Sequence, residues 1–273
     1  MDQYAVIGNP VSHSKSPLIH RLFAEHTGQK LEYKKLEAPL DGFALSVRQF
    51  FEHQGKGLNV TVPFKEEAWS LCQQLSDRAR LAGAVNTLYC DENGHLCGEN
   101  TDGIGLVSDL KNNGVHLKGK KILIIGAGGA VRGVLQPILN EKPALLVITN
   151  RTLSKAEALV DAFLDYSSDY SVITSQGYDQ LNEAFDIVIN GTSASLSGEL
   201  PNISDAIFSS DTDVYDMMYS KEDTVFNVWA KSCKVNAVYD GLGMLVEQAA
   251  EAFQIWRGIR PETQEVIQLL RDA

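Results

Sequence analysis

Lys121-Ile122-Leu123-Ile124-Ile125 runs directly into Gly126-Ala127-Gly128-Gly129-Ala130-Val131-Arg132. An apolar run of this length, a glycine-rich turn and a helix-forming stretch read as a buried strand, a tight turn and a helix start. Glycines let the backbone approach a pyrophosphate, and the helix N-terminus supplies amide donors and a positive dipole end. Gly126, Ala127, Gly128, Gly129 and Ala130 are therefore candidate dinucleotide-binding residues of a Rossmann-type unit. Two details depart from the pattern. The third glycine position holds Val131, and Pro137 removes a hydrogen bond from the helix that follows, which predicts a kink.

The next strand ends in Asn150-Arg151-Thr152-Leu153-Ser154-Lys155. An acid there would grip the ribose 2′-hydroxyl of NAD, and none is present. Arg151, Thr152 and Lys155 offer a guanidinium, a hydroxyl and an ammonium instead, a set suited to a 2′-phosphate and hence to NADP. The competing reading is that Thr152 or Ser154 caps a helix whose basic residues are merely solvated.

Around this centre, strand-like runs recur at Tyr4 to Ile7, Leu58 to Val62, Leu145 to Thr149, Asp186 to Ile189, Asp213 to Met217 and Val235 to Tyr239. Helical stretches lie between or after them at Pro17 to Thr27, Phe64 to Leu75, Gly103 to Asn113, Ala130 to Asn140, Ser154 to Leu164, Met244 to Trp256 and Pro261 to Asp272. The alternation predicts an α/β fold with parallel sheets. A polar, glycine-containing segment from Asn112 to Lys120 precedes the most apolar strand and marks a domain boundary near it.

The 273 residues are enough for two domains, and 44% hydrophobic with 22% charged residues is an ordinary globular balance. A net charge of -11 argues against nucleic-acid or anionic-lipid partners, so an anionic ligand must be held by local cations. Cys72, Cys90, Cys97 and Cys233 show neither paired spacing nor histidine companions, which predicts no metal site and a reducing, cytoplasmic setting. The first residues lack the pattern of a signal peptide, and no apolar run approaches the length of a membrane span.

In the N-terminal part, Ser14-Lys15-Ser16-Pro17 combines a candidate Ser cap with Pro at the first helical position, a place for a cap or for an anion. In Leu58-Asn59-Val60-Thr61-Val62-Pro63-Phe64-Lys65 the two-residue period puts Asn59 and Thr61 on one face. Lys65 then falls at a helix start, where the dipole disfavours a cation, so it is kept either for a ligand or for solvent. Asp102 stands where it can cap the helix to Asn113, or hold a nearby ammonium and form a proton-handling pair with Lys65. Spacing alone does not bring the two together.

These residues resemble the shikimate dehydrogenase family. The resemblance rests on Gly8-Asn9-Pro10 with His13 to Pro17, Asn59 to Lys65, Gly83-Ala84-Val85-Asn86-Thr87, Asn100-Thr101-Asp102-Gly103, Gly126 to Ala130, Asn150-Arg151-Thr152 and Asp240-Gly241-Leu242-Gly243-Met244-Leu245, in the family's order along nearly the whole chain. It implies an α/β protein of two domains with a cleft between them: residues 1–101 with 241–273 as an N-terminal α/β substrate domain, and residues 102–240 as a Rossmann-type NADP-binding domain. It implies reversible hydride transfer between NADPH and the C3 carbonyl of 3-dehydroshikimate, giving shikimate on the route to chorismate and the aromatic amino acids.

Carried over residue by residue, Lys65 exchanges the proton and Asp102 orients it; Ser14, Ser16 and Tyr219 hold the substrate carboxylate; Asn59, Thr61, Asn86, Asp102 and Gln248 bind the ring hydroxyls. Met217 and Gly241 line the nicotinamide side, and Asp77 is a further cofactor contact. Gln248 fits independently, since three residues after Leu245 it lies at the edge of an apolar helix stripe. The segment Tyr219 to Val225 departs from the family, which often has Asn-Pro after the Tyr and Pro after the Thr; that bears on the rigidity of the nicotinamide-side loop. The expected partner is a small molecule, with the protein a monomer or homodimer. The rival readings are an NAD-using quinate/shikimate dehydrogenase and a non-catalytic NADP-binding regulator.

Overall fold

The computed structural model describes residues 1–166 and 172–272. The chain divides into two units, Met1–Gly105 with Leu245–Ala273, and Leu106–Met244.

The first unit begins with β1 (Asp2–Gly8), α1 (Ser16–Thr27), β2 (Leu31–Glu37), α2 (Phe43–Glu52), β3 (Gly57–Val60), α3 (Lys65–Leu71), β4 (Gln74–Leu75), α4 (Asp77–Ala82), β5 (Thr87–Cys90) and β6 (Leu96–Glu99). Helix α5 (Asp102–Asn112) starts here and continues into the second unit. The strands form one sheet in the order β2-β1-β3-β5-β6-β4. Strand β1 is central and buried from Tyr4 to Gly8, whereas the edge strand β2 turns Lys34 and Lys35 to solvent, a charged edge that resists further pairing.

The sheet is mixed, which corrects the expectation of parallel sheets throughout: β1, β2 and β3 run parallel, but β5 is antiparallel to both β3 and β6. The reason is local. Strands β5 and β6 are joined by a short turn in which the Asp91 carboxylate accepts from the backbone amides of Asn93 and His95 and Gly94 takes φ 82°; so short a connection can only link antiparallel neighbours.

Three helices also differ from expectation, the last of them beginning at Gln264 rather than Pro261. Helix α3 stops at Leu71 rather than Leu75, because Cys72 is extended and Gln74–Leu75 pair with β6. Helix α1 is entered from Lys15, with no side-chain cap, so Ser16 is its first residue instead of its cap.

The second unit contains β7 (Lys121–Ile125), α6 (Gly129–Asn140), β8 (Leu145–Thr149), α7 (Leu153–Phe163), β9 (Val172–Ser175), β10 (Ile187–Asn190), β11 (Asp213–Asp216), α8 (Val225–Ser232) and β12 (Ala237–Asp240). Helix α9 (Leu242–Arg257) starts here and returns the chain to the first unit, which ends with α10 (Gln264–Arg271). All six strands are parallel, in the order β12-β11-β10-β7-β8-β9. This is the doubly wound arrangement, and the strand order reverses between β7 and β10, where such sheets bind ligands at the strand C-termini. The glycine loop follows β7 at that point. Helix α6 runs through Pro137 without a break.

Each unit has its own apolar centre. Phe43 and Phe64 stack at 4.6 Å among Ile7, Leu58, Val60 and Leu88 in the first. Leu123, Ile125, Val188, Val214 and Phe226 are buried together in the second. No helix among the described residues is long and apolar enough to cross a membrane.

Candidate active site

The first unit gathers its polar side chains at the C-terminal ends of β1 and β3 and at the end of β6. Lys65 is the first residue of α3, and its Nζ donates to Asp102 Oδ2 at 2.6 Å. The carboxylate offsets the unfavourable helix-end position of the ammonium. Both groups stay reachable, with side chains 31% and 13% exposed. Asp102 is the first residue of α5 rather than its cap, and its backbone amide donates to Asn100 Oδ1 at 3.1 Å. The structure thus brings together the two residues that spacing left apart, as an ion pair.

Asn86 holds the other carboxylate oxygen. Its Nδ2 donates to Asp102 Oδ1 at 2.8 Å and to Thr101 Oγ1 at 2.9 Å, while its Oδ1 accepts from the Thr101 amide at 2.9 Å. An amide proton and a carboxylate are obligate partners, so the orientation of the Asn86 side chain is unambiguous. Its backbone is pinned between strands, Val60 N donating to Asn86 O and Asn86 N to Glu99 O. Gln248 on α9 turns Oε1 toward the same group, 3.4 Å from both Asn86 Nδ2 and Thr101 Oγ1.

A partly buried ion-pair chain secures that helix. Arg78 on α4 bonds Glu99 at the end of β6 and Glu251 on α9, and Arg260 bonds Glu251 at 2.8 Å. Burial raises the Glu99 carboxyl pKa, against which the neighbouring Arg78 guanidinium works. Sequence reasoning passes over Arg78 and Glu99, because no local spacing links residues on α4, β6 and α9.

Ser14 and Ser16 adjoin at the start of α1, Ser14 Oγ donating to Ser16 Oγ at 3.2 Å. Thr61 follows β3, its methyl in the space that any side chain at Gly8 would take. Asn59 lies deeper, in β3 and 6% exposed, with both ends of its amide engaged inside the protein. Asp77 is exposed and pairs with Arg80 at 2.7 Å at the start of α4.

In the second unit, Gly126 takes φ +118°, a conformation reserved for glycine, where the chain turns out of β7. A Cβ at Gly128 or Gly129 would meet nothing within 4 Å, so open space lies over the start of α6 and its free amides. Val131, the departure from the glycine pattern, is fully buried against Gly191: any side chain at 191 would collide with it. The missing glycine of one segment is supplied by another.

After β8, Thr152 occupies the cap position of α7, but its side chain makes no capping bond, and Arg151, Thr152 and Lys155 are exposed. Asn150 Nδ2 bonds Thr152 O at 2.9 Å and shapes the turn. The helix-capping alternative for Thr152 is therefore not what the structure shows. Met217 is 6% exposed after β11, with its backbone against Gly241 and its sulfur beside Gly191. Tyr219 follows, half-buried, and burial raises its phenol pKa. The proline-poor loop after it is held by Ser220 donating to Glu222 O, by Thr224 capping α8, and by a 2.6 Å Lys231–Asp223 ion pair.

A buried polar cluster missed in the sequence supports Met217. Asp216 is wholly buried and accepts from Asn190 Nδ2 at 3.0 Å, Ser195 Oγ at 2.7 Å and Met218 N at 3.0 Å; burial raises its carboxyl pKa. The segment Asn190-Gly191-Thr192 carries a signal, a polar turn with glycine after an apolar strand.

Family models match three parts of the chain: the shikimate dehydrogenase substrate binding domain over residues 6–88, shikimate/quinate 5-dehydrogenase over residues 109–197, and the shikimate 5′-dehydrogenase C-terminal domain over residues 241–271. Shikimate dehydrogenase (NADP(+)) of Marinobacter nauticus is 56% identical over 271 residues, covering 99% of this chain and 98% of its own.

The chain belongs to the shikimate dehydrogenase family. A second member, shikimate dehydrogenase (NADP(+)) of Hahella chejuensis, is 56% identical over 274 residues and covers 100% of both chains. Among solved structures, the shikimate 5-dehydrogenase of Thermus thermophilus, in complex with NADP(H) and shikimate, has a TM-score of 0.87 at 30% identity, covering 100% of this chain and 99% of its own. The Ael1 enzyme of Pseudomonas putida has a TM-score of 0.92 at 46% identity, over 99% and 98% of the two chains.

Proposed function

We infer that this family member is an NADP-dependent oxidoreductase that interconverts 3-dehydroshikimate and shikimate, a step toward chorismate and the aromatic amino acids. The observation that carries the reading is the Lys65–Asp102 pair at 2.6 Å with Asn86 on its second oxygen, a proton donor already oriented in a half-buried site. NADPH, when bound, supplies the hydride to C3 of the substrate. Lys65 gives a proton to the C3 oxygen as the carbonyl becomes an alcohol, and takes it back in the reverse direction. Asp102 keeps the ammonium aimed and accepts from a ring hydroxyl.

Thr61, Asn86 and Gln248 hydrogen-bond the remaining ring hydroxyls, while Ser14, Ser16 and Tyr219 receive the carboxylate. The residues fit NADP(H) on two observations: the space a side chain would fill at Gly128 and Gly129, and an exposed guanidinium, hydroxyl and ammonium at the end of β8 with no acid among them. Gly126 to Ala130 would hold the pyrophosphate, Asn150, Arg151, Thr152 and Lys155 the 2′-phosphate end, and Met217 with Gly241 the nicotinamide side. Asp77 has a cation of its own in Arg80, which weighs against a cofactor contact.

The test is shikimate-dependent reduction of NADP⁺ against NAD⁺, with quinate as the competing alcohol. Turnover of shikimate with preference for NADP⁺ is expected. Equal use of quinate or preference for NAD⁺ overturns the specific assignment, and absence of any turnover overturns the enzyme.

A further inference from the structure

The family resemblance groups Asn59 with the ring-hydroxyl ligands, yet every hydrogen-bonding position of its side chain is already taken. Nδ2 donates to Asn86 O at 3.3 Å and to Thr87 Oγ1 at 3.2 Å. Oδ1 receives Tyr33 Oη at 2.7 Å and lies 3.2 Å from His20 Nε2. An amide has two donor hydrogens and an oxygen with two lone pairs, so all four positions of Asn59 are engaged inside the protein.

The orientation is forced. A backbone carbonyl only accepts, so Nδ2 must face Asn86 O; Oδ1 then faces Tyr33 and His20, and both of those must donate. His20 therefore carries its proton on Nε2. The ring can stay neutral: it is fully buried, stacked on Tyr33 at 4.2 Å and 5°, with Phe23 and Trp256 at 5.9 and 5.5 Å, and burial pushes its pKa down to about 3.

On the α1 side, burial raises the Tyr33 phenol pKa and the neighbouring Ser16 hydroxyl, adjoined by Ser14, works against it. From Asn59 the direction runs through Thr87 Oγ1, which donates to Asn86 Oδ1 at 2.9 Å, and on through Asn86 Nδ2 to Asp102. One directed side-chain chain thus runs from Tyr33 and His20 through Asn59, Thr87 and Asn86 to the carboxylate that holds Lys65.

We propose that His20 and Tyr33 are positioning residues of the substrate site, acting through Asn59, whose amide oxygen they hold while its Nδ2 carries the chain on to Thr87, Asn86 and Asp102. The proposal rests on the functional reading above. Removing either donor leaves a buried amide oxygen short of a partner, which loosens Asn59 and with it the Thr87 and Asn86 side chains that reach Asp102.

The test compares Tyr33→Phe, His20→Phe and His20→Gln with the wild type. Wild-type turnover of shikimate with NADP⁺ is measured first and reads the functional assignment by itself. Tyr33→Phe keeps the ring stack and loses one hydrogen bond, and is expected to raise the KM for shikimate about fivefold while the KM for NADP⁺ stays put. His20→Phe is expected to do the same, and His20→Gln, which restores an N–H donor, to recover much of the loss. An unchanged shikimate KM in Tyr33→Phe, a parallel rise in both KM values, or a His20→Gln variant no better than His20→Phe overturns the proposal. Should His20→Phe fail to fold, the ¹⁵N–¹H correlation of the wild-type imidazole decides independently of turnover: a neutral ring protonated on Nε2 near pH 7 supports it, and a proton on Nδ1 overturns it.

Discussion

The two units prepare for their ligands in opposite ways. In the first, polar side chains hold one another: Lys65, Asp102, Asn86 and Thr101 are mutually hydrogen-bonded. In the second, side chains withdraw, leaving open space over Gly128 and Gly129 and a helix start whose backbone amides face it. Proton transfer needs a group fixed to within a fraction of an ångström, so one side chain must be aimed by others. Anion binding needs donors and room, which backbone and glycine provide. A change in the first unit therefore removes chemistry, whereas a change in the second removes space or charge.

The largest expected effect follows from that contrast. Lys65→Ala lowers kcat for shikimate oxidation by about 10³-fold, within the range for a positioned proton carrier, while the shikimate KM shifts far less. Steady-state kinetics separates the two constants, and a defect confined to KM would contradict the proton-carrier role.

In the second unit, Arg151→Ala removes the guanidinium proposed to hold the 2′-phosphate. Catalytic efficiency with NADP⁺ then falls roughly 10- to 100-fold, the worth of one charge-assisted hydrogen bond, and that with NAD⁺ is nearly unmoved. Equal losses with both coenzymes would remove the distinction between the two ends of the cofactor site. Gly128→Val fills space without straining the fold, since Gly128 has φ -87° and nothing lies within 4 Å of its Cβ position. It is expected to raise the NADP⁺ KM about tenfold with an unchanged melting temperature.

Gly191→Ala behaves differently although it is also a glycine of the second unit. Its new methyl collides with Val131, costing about 1–3 kcal/mol of stability, which thermal unfolding detects. Val131→Ala in the same chain restores most of it.

Acid acts on the first unit through His20. The folded His20 pKa of about 3 lies below its ordinary 6.5, so the unfolded chain binds the proton first as pH falls. The stability held by the neutral ring is whole above pH 6.5 and is lost progressively toward pH 3, at up to about 1.4 kcal/mol per pH unit. The acid-side fall in melting temperature is accordingly shallower in His20→Gln, and identical slopes would show that the ring is not held neutral.

The parallel unit is the more legible of the two. Its central strands are buried on both faces, so Lys121–Ile125 and Leu145–Thr149 read as continuous apolar runs with the bounds the structure shows. The first unit hides β2, whose Leu-Glu-Tyr-Lys-Lys-Leu-Glu sequence is that of a solvated edge, and the short β5–β6 hairpin, where Gly98 and Cys97 give little strand signal. Helix α2 also goes unread, although Phe43 and Val47 recur at helical spacing.

Local order by itself determined the glycine turn, the cation-rich end of β8 and the presence of an unusual lysine at a helix start, because backbone conformation and residue chemistry act over a few neighbouring positions. Only the tertiary structure decided that Lys65 meets Asp102 and that Gly191 makes room for Val131. Those outcomes depend on strands paired across long stretches of chain, where register places each side chain and no spacing rule reaches.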